Sequence, residues 1–204
     1  VARTFVEILR DHPRWGPVLY QVCRFRAEGV VGWFGRYLQS GDKVLDIGAG
    51  SCNIVEVLQD KGFDATPLDL RNVSLVPSIQ PVLYDGRHIP FGDKSFDVGL
   101  LVFILHHTSD PEEIIKEASR VARRLVVIED IYRGPVHKRV TFFFDSLMNW
   151  EWKGHPHSNR SDREWKATFT RLGLSLQHAR YRSSRRSLSC GLLKHAIYYL
   201  QVEE

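Results

Sequence analysis

Read for hydrophobic and polar positions alone, the chain changes period near residue 40. Before it, apolar residues recur at helical spacing: Val30, Phe34 and Leu38 share one face, with Trp33 and Tyr37 beside them, until Ser40-Gly41-Asp42 breaks the pattern. From Lys43 short apolar runs alternate with amphipathic stretches. KVLDIG predicts a first strand and NIVEVLQDKG a helix closed by Gly62, whose missing Cβ suits a C-terminal cap. DATPLDL and PVLYD predict the second and third strands. FDVGLLVFIL is almost continuously apolar, as a strand buried on both faces must be. SDPEEIIKEASRVARR predicts a helix with Ser109 or Asp110 as N-cap and Pro111 at its first position, and RLVVIEDI a fifth strand. Such alternation predicts a parallel sheet with helices on both faces.

After Arg133-Gly134-Pro135 the pattern changes again. VTFFFDSLMNWEWKGHPHSNR is aromatic-rich and ends in an irregular, histidine-containing loop. SDREWKATFTRLGL predicts a helix with Ser161 and Glu164 as a capping box. LSLQHARYRS and CGLLKHAIYYLQ predict two strands joined by a basic turn with no helix between, hence an antiparallel pair. The expected fold is α/β: a Rossmann-like, doubly wound, mostly parallel seven-stranded sheet with an antiparallel last strand and helices on both faces. One domain is expected, with a helical cap over 1–40, a core over 41–133, a lid over 134–160, and the last helix and strand pair over 161–204.

Composition changes this picture little. With 204 residues, 43% of them hydrophobic and 25% charged, the chain reads as an ordinary globular domain. Its longest apolar run, Val98 to Leu105, has eight residues, against roughly 20 for a membrane-spanning helix. The opening VARTFVEILRDHPRW mixes charges from the start and predicts no signal peptide, so a cytoplasmic protein is expected. Cys23, Cys52 and Cys190 lie far apart with no C-x-x-C pair, which argues against a disulfide framework and against a zinc site. The net charge of +4 is mild, whereas a nucleic-acid footprint is a concentrated basic patch, so nucleic acid is not an expected partner. The sequence does not set the oligomeric state.

Candidate chemistry gathers around VLDIGAGSCN. Gly48 and Gly50 allow a tight turn after the first strand, where ligands of open parallel sheets bind. Asp46 sits two residues before Gly48, and a carboxylate there suits a cationic ligand better than a pyrophosphate. Asp69 ends the second strand 23 residues later, where an acid can take both ribose hydroxyls, and Asp85-Gly86 ends the third, where a carboxylate can accept from an adenine amino group. The third glycine of a dinucleotide fingerprint is Asn53 or Cys52 here, depending on register.

With PLDL, YDGRHIPFGDKSFDVGLLVFILHHTSDPEEIIKEASRVARR and LVVIED added, the stretch from Lys43 to Asp130 closely resembles the small class I methyltransferases that use S-adenosylmethionine, in the subgroup acting on small molecules and quinones. The resemblance implies that Gly48, Ala49 and Gly50 turn around the methionine part of the cofactor with Asp46 beside it. It implies that Asp69 holds the ribose hydroxyls, Leu70 lies against the adenine ring, Asp85 and Gly86 meet the adenine edge, and Leu101 or Val102 lies under the sulfonium. It further implies methyl transfer to a small-molecule acceptor, with S-adenosylhomocysteine as product. One departure stands out: the family usually has Pro-Gly-Gly before the fifth strand, where this chain runs VARRLVVIED, so a tighter connection is expected.

On the acceptor side, His106 and His107 follow the fourth strand, as base, as substrate ligand, or as helix-entry histidines bonded to backbone. Glu129 and Asp130 close the fifth strand on the same rim, as substrate contact or as salt-bridged loop residues. His106, His107 and Asp130 are the catalytic candidates. The segment holding Phe142, Phe143, Phe144, Trp150, Trp152, His155 and His157 predicts an aromatic lid or a core-packed helix, and its two histidines lack a third metal ligand. No metal is expected. Arg180, Arg182, Arg185 and Arg186 crowd the last strand-to-strand turn; they suit an anionic acceptor or RNA, or are a solvated turn. The alternatives are an RNA or protein methyltransferase, a non-catalytic cofactor-binding protein, and a nicotinamide-dependent oxidoreductase. The last has only Arg71 after the second strand in its favour.

Overall fold

The computed structural model describes residues 5–132, 159–183 and 194–203. In chain order the elements are α1 (Phe5–Arg10), α2 (Trp15–Phe34), β1 (Lys43–Ile47), α3 (Asn53–Asp60), β2 (Asp64–Asp69), β3 (Val82–Leu83), β4 (Phe96–Val102), α4 (Pro111–Val121), β5 (Ala122–Ile131), α5 (Asp162–Arg171), β6 (Leu174–Ser183) and β7 (Lys194–Val202). They form one seven-stranded sheet in the order β3-β2-β1-β4-β5-β7-β6. β1, β2, β3, β4 and β5 pair parallel. β7 runs antiparallel to both β5 and β6, so it alone opposes the others. The end of β6 and the start of β7 therefore rise on the edge where the parallel strands end, and Asp130, His195 and Arg182 stand side by side there.

Side chains alternate across the sheet with period two, which divides the core into two layers. On one face Leu45, Ile47, Leu101, Leu125 and Val127 meet Ile115 and Ala118 of α4 and Trp165 and Phe169 of α5. On the other, Val44, Leu100, Val126 and Ile128 meet Ala27, Val30 and Phe34 of α2 and Val55 and Leu58 of α3. The N-terminal helix α2 is thus a structural layer of the sheet. Phe34, Trp165, Phe169 and Tyr198 are wholly buried, each contributing about 1.5–3 kcal/mol through its apolar surface.

The local signals act as their chemistry suggests. Asp110 caps α4, accepting from the Glu113 N–H with Pro111 just inside. Ser161 and Glu164 form the capping box of α5. β3 is shorter than expected, only two residues, because PVLYD lies at the sheet edge with one neighbour. The tight connection before β5 is real: α4 ends at Val121 and β5 begins at Ala122. Lys94 satisfies the helix end, with its N–H on the Arg120 carbonyl (2.9 Å) and its Nζ on the Ser119 carbonyl (3.0 Å), replacing a glycine turn. Most of the expected lid, including its seven aromatic and histidine residues, lies outside the described residues, as do Arg185, Arg186 and Cys190. Among the described residues no helix is long and apolar enough to cross a membrane.

Candidate active site

β1 delivers the chain into the glycine turn. The Gly48 and Ala49 N–H groups both donate to the Leu68 carbonyl, at 2.8 and 3.1 Å, tying the turn to β2. Gly48 has φ +77°, and a Cβ there would sit 2.5 Å from Cγ2 of Ile104, so no side chain fits. Gly50 has φ +51°, and a Cβ there would meet no described atom within 4 Å, leaving its backbone open to approach. Cys52, at the position the sequence left ambiguous, is itself left-handed (φ 59°) and precedes α3. A non-glycine residue holds that conformation at a cost of about 1–2 kcal/mol. Its buried thiol is pushed up to about 11 by desolvation and is not a nucleophile.

Beneath the turn, Asp46 is 1% exposed and its Oδ2 has no hydrogen-bond partner. Burial, with the Asp69 carboxylate adding to it, pushes the Asp46 carboxyl up to about 7. The buried Oδ1 of Asn53, the first residue of α3, is likewise without a partner. Two buried oxygen acceptors lacking donors beside an open backbone turn fit a ligand that brings a cationic donor. Asp69 at the end of β2 accepts the Gly50 N–H on Oδ2 (2.8 Å) and the Leu70 and Arg71 N–H groups on Oδ1 (2.7 and 3.3 Å), so it shapes both loops. Leu70 is exposed and lies beside Gly86, where a Cβ would be 3.0 Å from its Cδ2. Asp85 accepts the Arg87 and His88 N–H groups on Oδ1, and these bonds hold its carboxyl below the usual range.

Of the two residues implied beneath the sulfonium, Val102 ends β4 on the α2 face, and Leu101, one residue earlier, is wholly buried on the α4 face. The strand's alternation turns it inward, and Phe103 and Ile104, just beyond the strand, occupy the rim.

Glu129 and Asp130 point to opposite faces. Glu129 is fully buried; its Oε1 accepts the Leu105 N–H (2.7 Å) and its Oε2 meets Nδ1 of His106 (2.5 Å). His106 is 3% exposed and His107 packs on its ring at 4.0 Å between centroids. The pair is therefore sealed inside the β4–α4 connection, and the expected mouth position for His106 is corrected by that burial. Asp130 hydrogen-bonds His195 Nδ1 across the β5–β7 ladder. His195 stacks on Trp33 (5.4 Å) and takes the edge of Phe103 (5.3 Å). The sequence reasoning missed His195, Trp33 and Phe103. The available signal was the adjacent pair of acids ending a buried strand, each of which needs a partner on its own face. A cavity of about 800 Å³ between α1, α3 and the β2–β3 connection is lined by residues such as Arg10, His12 and Asn72 and by none of the site residues.

Residues 45–127 match the family model described as "Methyltransferase domain". A demethylmenaquinone methyltransferase of Paenarthrobacter aurescens is 33% identical over 98 residues, covering 44% of this chain and 39% of the relative. A ubiquinone/menaquinone biosynthesis C-methyltransferase of Roseobacter denitrificans is 31% identical over 125 residues, covering 53% and 49%. The chain thus spans less than half the length of these relatives. In structure it is similar to a SAM-dependent methyltransferase of Methanosarcina mazei, with a TM-score of 0.67 at 20% identity over 84% of this chain and 97% of that one; this likeness concerns the fold. The matching domain, the strand order and the acid-lined glycine turn agree: residues 45–127 match a methyltransferase domain, set in a Rossmann-like sheet.

Proposed function

We propose that this chain transfers a methyl group from S-adenosylmethionine to a small quinone- or phenol-type acceptor. The observation that carries the reading is the buried Asp46 carboxylate with an unpartnered oxygen beneath the open Gly50 backbone. S-Adenosylmethionine supplies an electrophilic methyl group on a sulfonium. The chain's part is to bind, orient and exclude water, which supplies about 7–11 kcal/mol in favourable cases. In this reading Asp46 holds the ligand's ammonium, Gly48, Ala49 and Gly50 let the backbone come close, and Asp69 takes the ribose hydroxyls. Leu70, Asp85 and Gly86 meet the adenine. The acceptor class rests on the names of the relatives, which act in quinone biosynthesis.

Calorimetric titration of the wild type and Asp69→Asn with S-adenosylmethionine, S-adenosylhomocysteine and NADPH tests the cofactor. Binding of the first two, at least tenfold weaker in the variant, with none for NADPH, is the expected result. NADPH binding alone would overturn the reading. Incubation with radiolabelled methyl donor and a panel of naphthalenediols and catechols then tests the acceptor class.

A further inference from the structure

Resting on the methyltransferase reading above, we propose that His195 is the general base that takes the acceptor's proton, with Asp130 as the positioning residue that holds its ring. His195 opens β7 on the edge of the sheet where the parallel strands end, which is the ligand-binding edge of such sheets. Its Nδ1 is hydrogen-bonded to Asp130 Oδ1, which keeps the proton on Nδ1 in the neutral ring and leaves the Nε2 lone pair available. No described residue hydrogen-bonds Nε2, and the side chain is one-tenth exposed.

The ring is fixed on two further sides. Trp33 of α2 stacks on one side with an interplanar angle of 25°, and Phe103 meets the ring edge-on at 77°. Phe103 holds a left-handed backbone (φ 56°) while its N–H donates to the Ile128 carbonyl at 2.8 Å. A bulky residue persists in that conformation only where its surroundings enforce it, and such strain concentrates at functional sites. Here it turns an aromatic ring against His195.

Among the described residues, the charged groups on this side of the sheet beside the ring are Asp130 from β5, Arg182 from β6 and Arg26 from α2. Arg182 is the direct cross-strand neighbour of His195, and the Arg26 guanidinium lies 5.5 Å from the Phe103 centroid. Neither arginine has a carboxylate partner among the described residues. An acceptor that gains negative charge as it loses its proton would be stabilised there, as a phenol is.

His195 lies two strands from β4, a lateral distance of about 10 Å that the Phe103 ring, just beyond β4, partly spans. His195 Nε2 accepts the proton leaving the acceptor's phenolic oxygen, and an electron pair of the resulting oxyanion, on oxygen or delocalised onto a ring carbon, bonds to the methyl carbon. The carbon–sulfur pair stays with sulfur, and the imidazolium then returns its proton to water.

Two measurements test this. Long-range proton–nitrogen NMR of the wild type with S-adenosylhomocysteine, with His195→Gln assigning the signal, reads the ring directly and needs no acceptor. The expected result is that the neutral ring carries its proton on Nδ1, with that preference lost in Asp130→Asn. A neutral ring protonated on Nε2 would overturn the proposal. With 1,4-dihydroxynaphthalene as probe, His195→Gln should lose roughly 10²–10⁴ in kcat while its Kd for S-adenosylhomocysteine stays within twofold. A kcat within threefold of wild type would overturn it. Failure of the wild type to bind S-adenosylhomocysteine overturns the methyltransferase reading itself, which separates the two.

Discussion

Glu129 and Asp130 are neighbours on one strand, both carboxylates bound to a histidine Nδ1, and they do different work. Glu129 faces the α4 layer, where His106 is sealed and the Leu105 N–H shares the same carboxylate; it fastens the β4–α4 connection. Asp130 faces the α2 layer, where His195 sits between Trp33 and Phe103 with no described residue bonded to Nε2. Strand alternation separates the two pairs, placing one histidine in the α4 layer and the other, the proposed base, on the α2 side at the start of β7.

The contrast is broken or sharpened by substitution. Glu129→Ala strands a buried histidine and a buried N–H, so unfolding in denaturant should fall by about 3–5 kcal/mol; a loss near that of an exposed pair would make the two acids alike. Asp46 is a third buried carboxylate, and among the described residues it has no hydrogen-bond partner. Its raised value means the ligand-free fold is penalised as pH rises from about 4 to about 7, with the full cost above that. Asp46→Asn should therefore stabilise the ligand-free protein above pH 7 by at most roughly 4 kcal/mol, less the amide's own burial cost, and the gain should vanish below pH 4 in thermal melts. Asp130→Asn should cost only about 1 kcal/mol of stability, because its pair borders solvent, and act mainly on rate. Smallest is Glu112→Gln at the surface, which frees Arg160 and Arg171 and should cost under about 1 kcal/mol, shrinking further in salt.

The elements and the mostly parallel sheet were legible because nearly every element announced itself: a continuous apolar run for β4, a capping box for α5, a lone strand pair for β6 and β7. Asp46, Asp69 and the glycines were legible for the same reason, since they fall at strand ends. His195 was not, because its meaning comes from register: only the antiparallel return of β7 sets it opposite Asp130, 65 residues earlier. Which of Leu101 and Val102 turns to which face was not legible for a related reason. A run apolar on both sides carries no alternation to say which residue looks outward. Lys94 as the closure of α4 had no local signal, being held by a left-handed turn distant in sequence from the helix it caps.

The most direct test is calorimetric binding of S-adenosylhomocysteine at pH 6 and pH 8.5, each in two buffers of different ionisation heat. A ligand ammonium on Asp46 would expel the proton that its value of about 7 keeps there at pH 6. The account predicts one-to-one binding that releases close to one proton at pH 6, with the release gone at pH 8.5 and absent throughout in Asp46→Asn. Binding without proton release would detach Asp46 from the ligand, and no binding would contradict the assignment of the glycine turn to this cofactor.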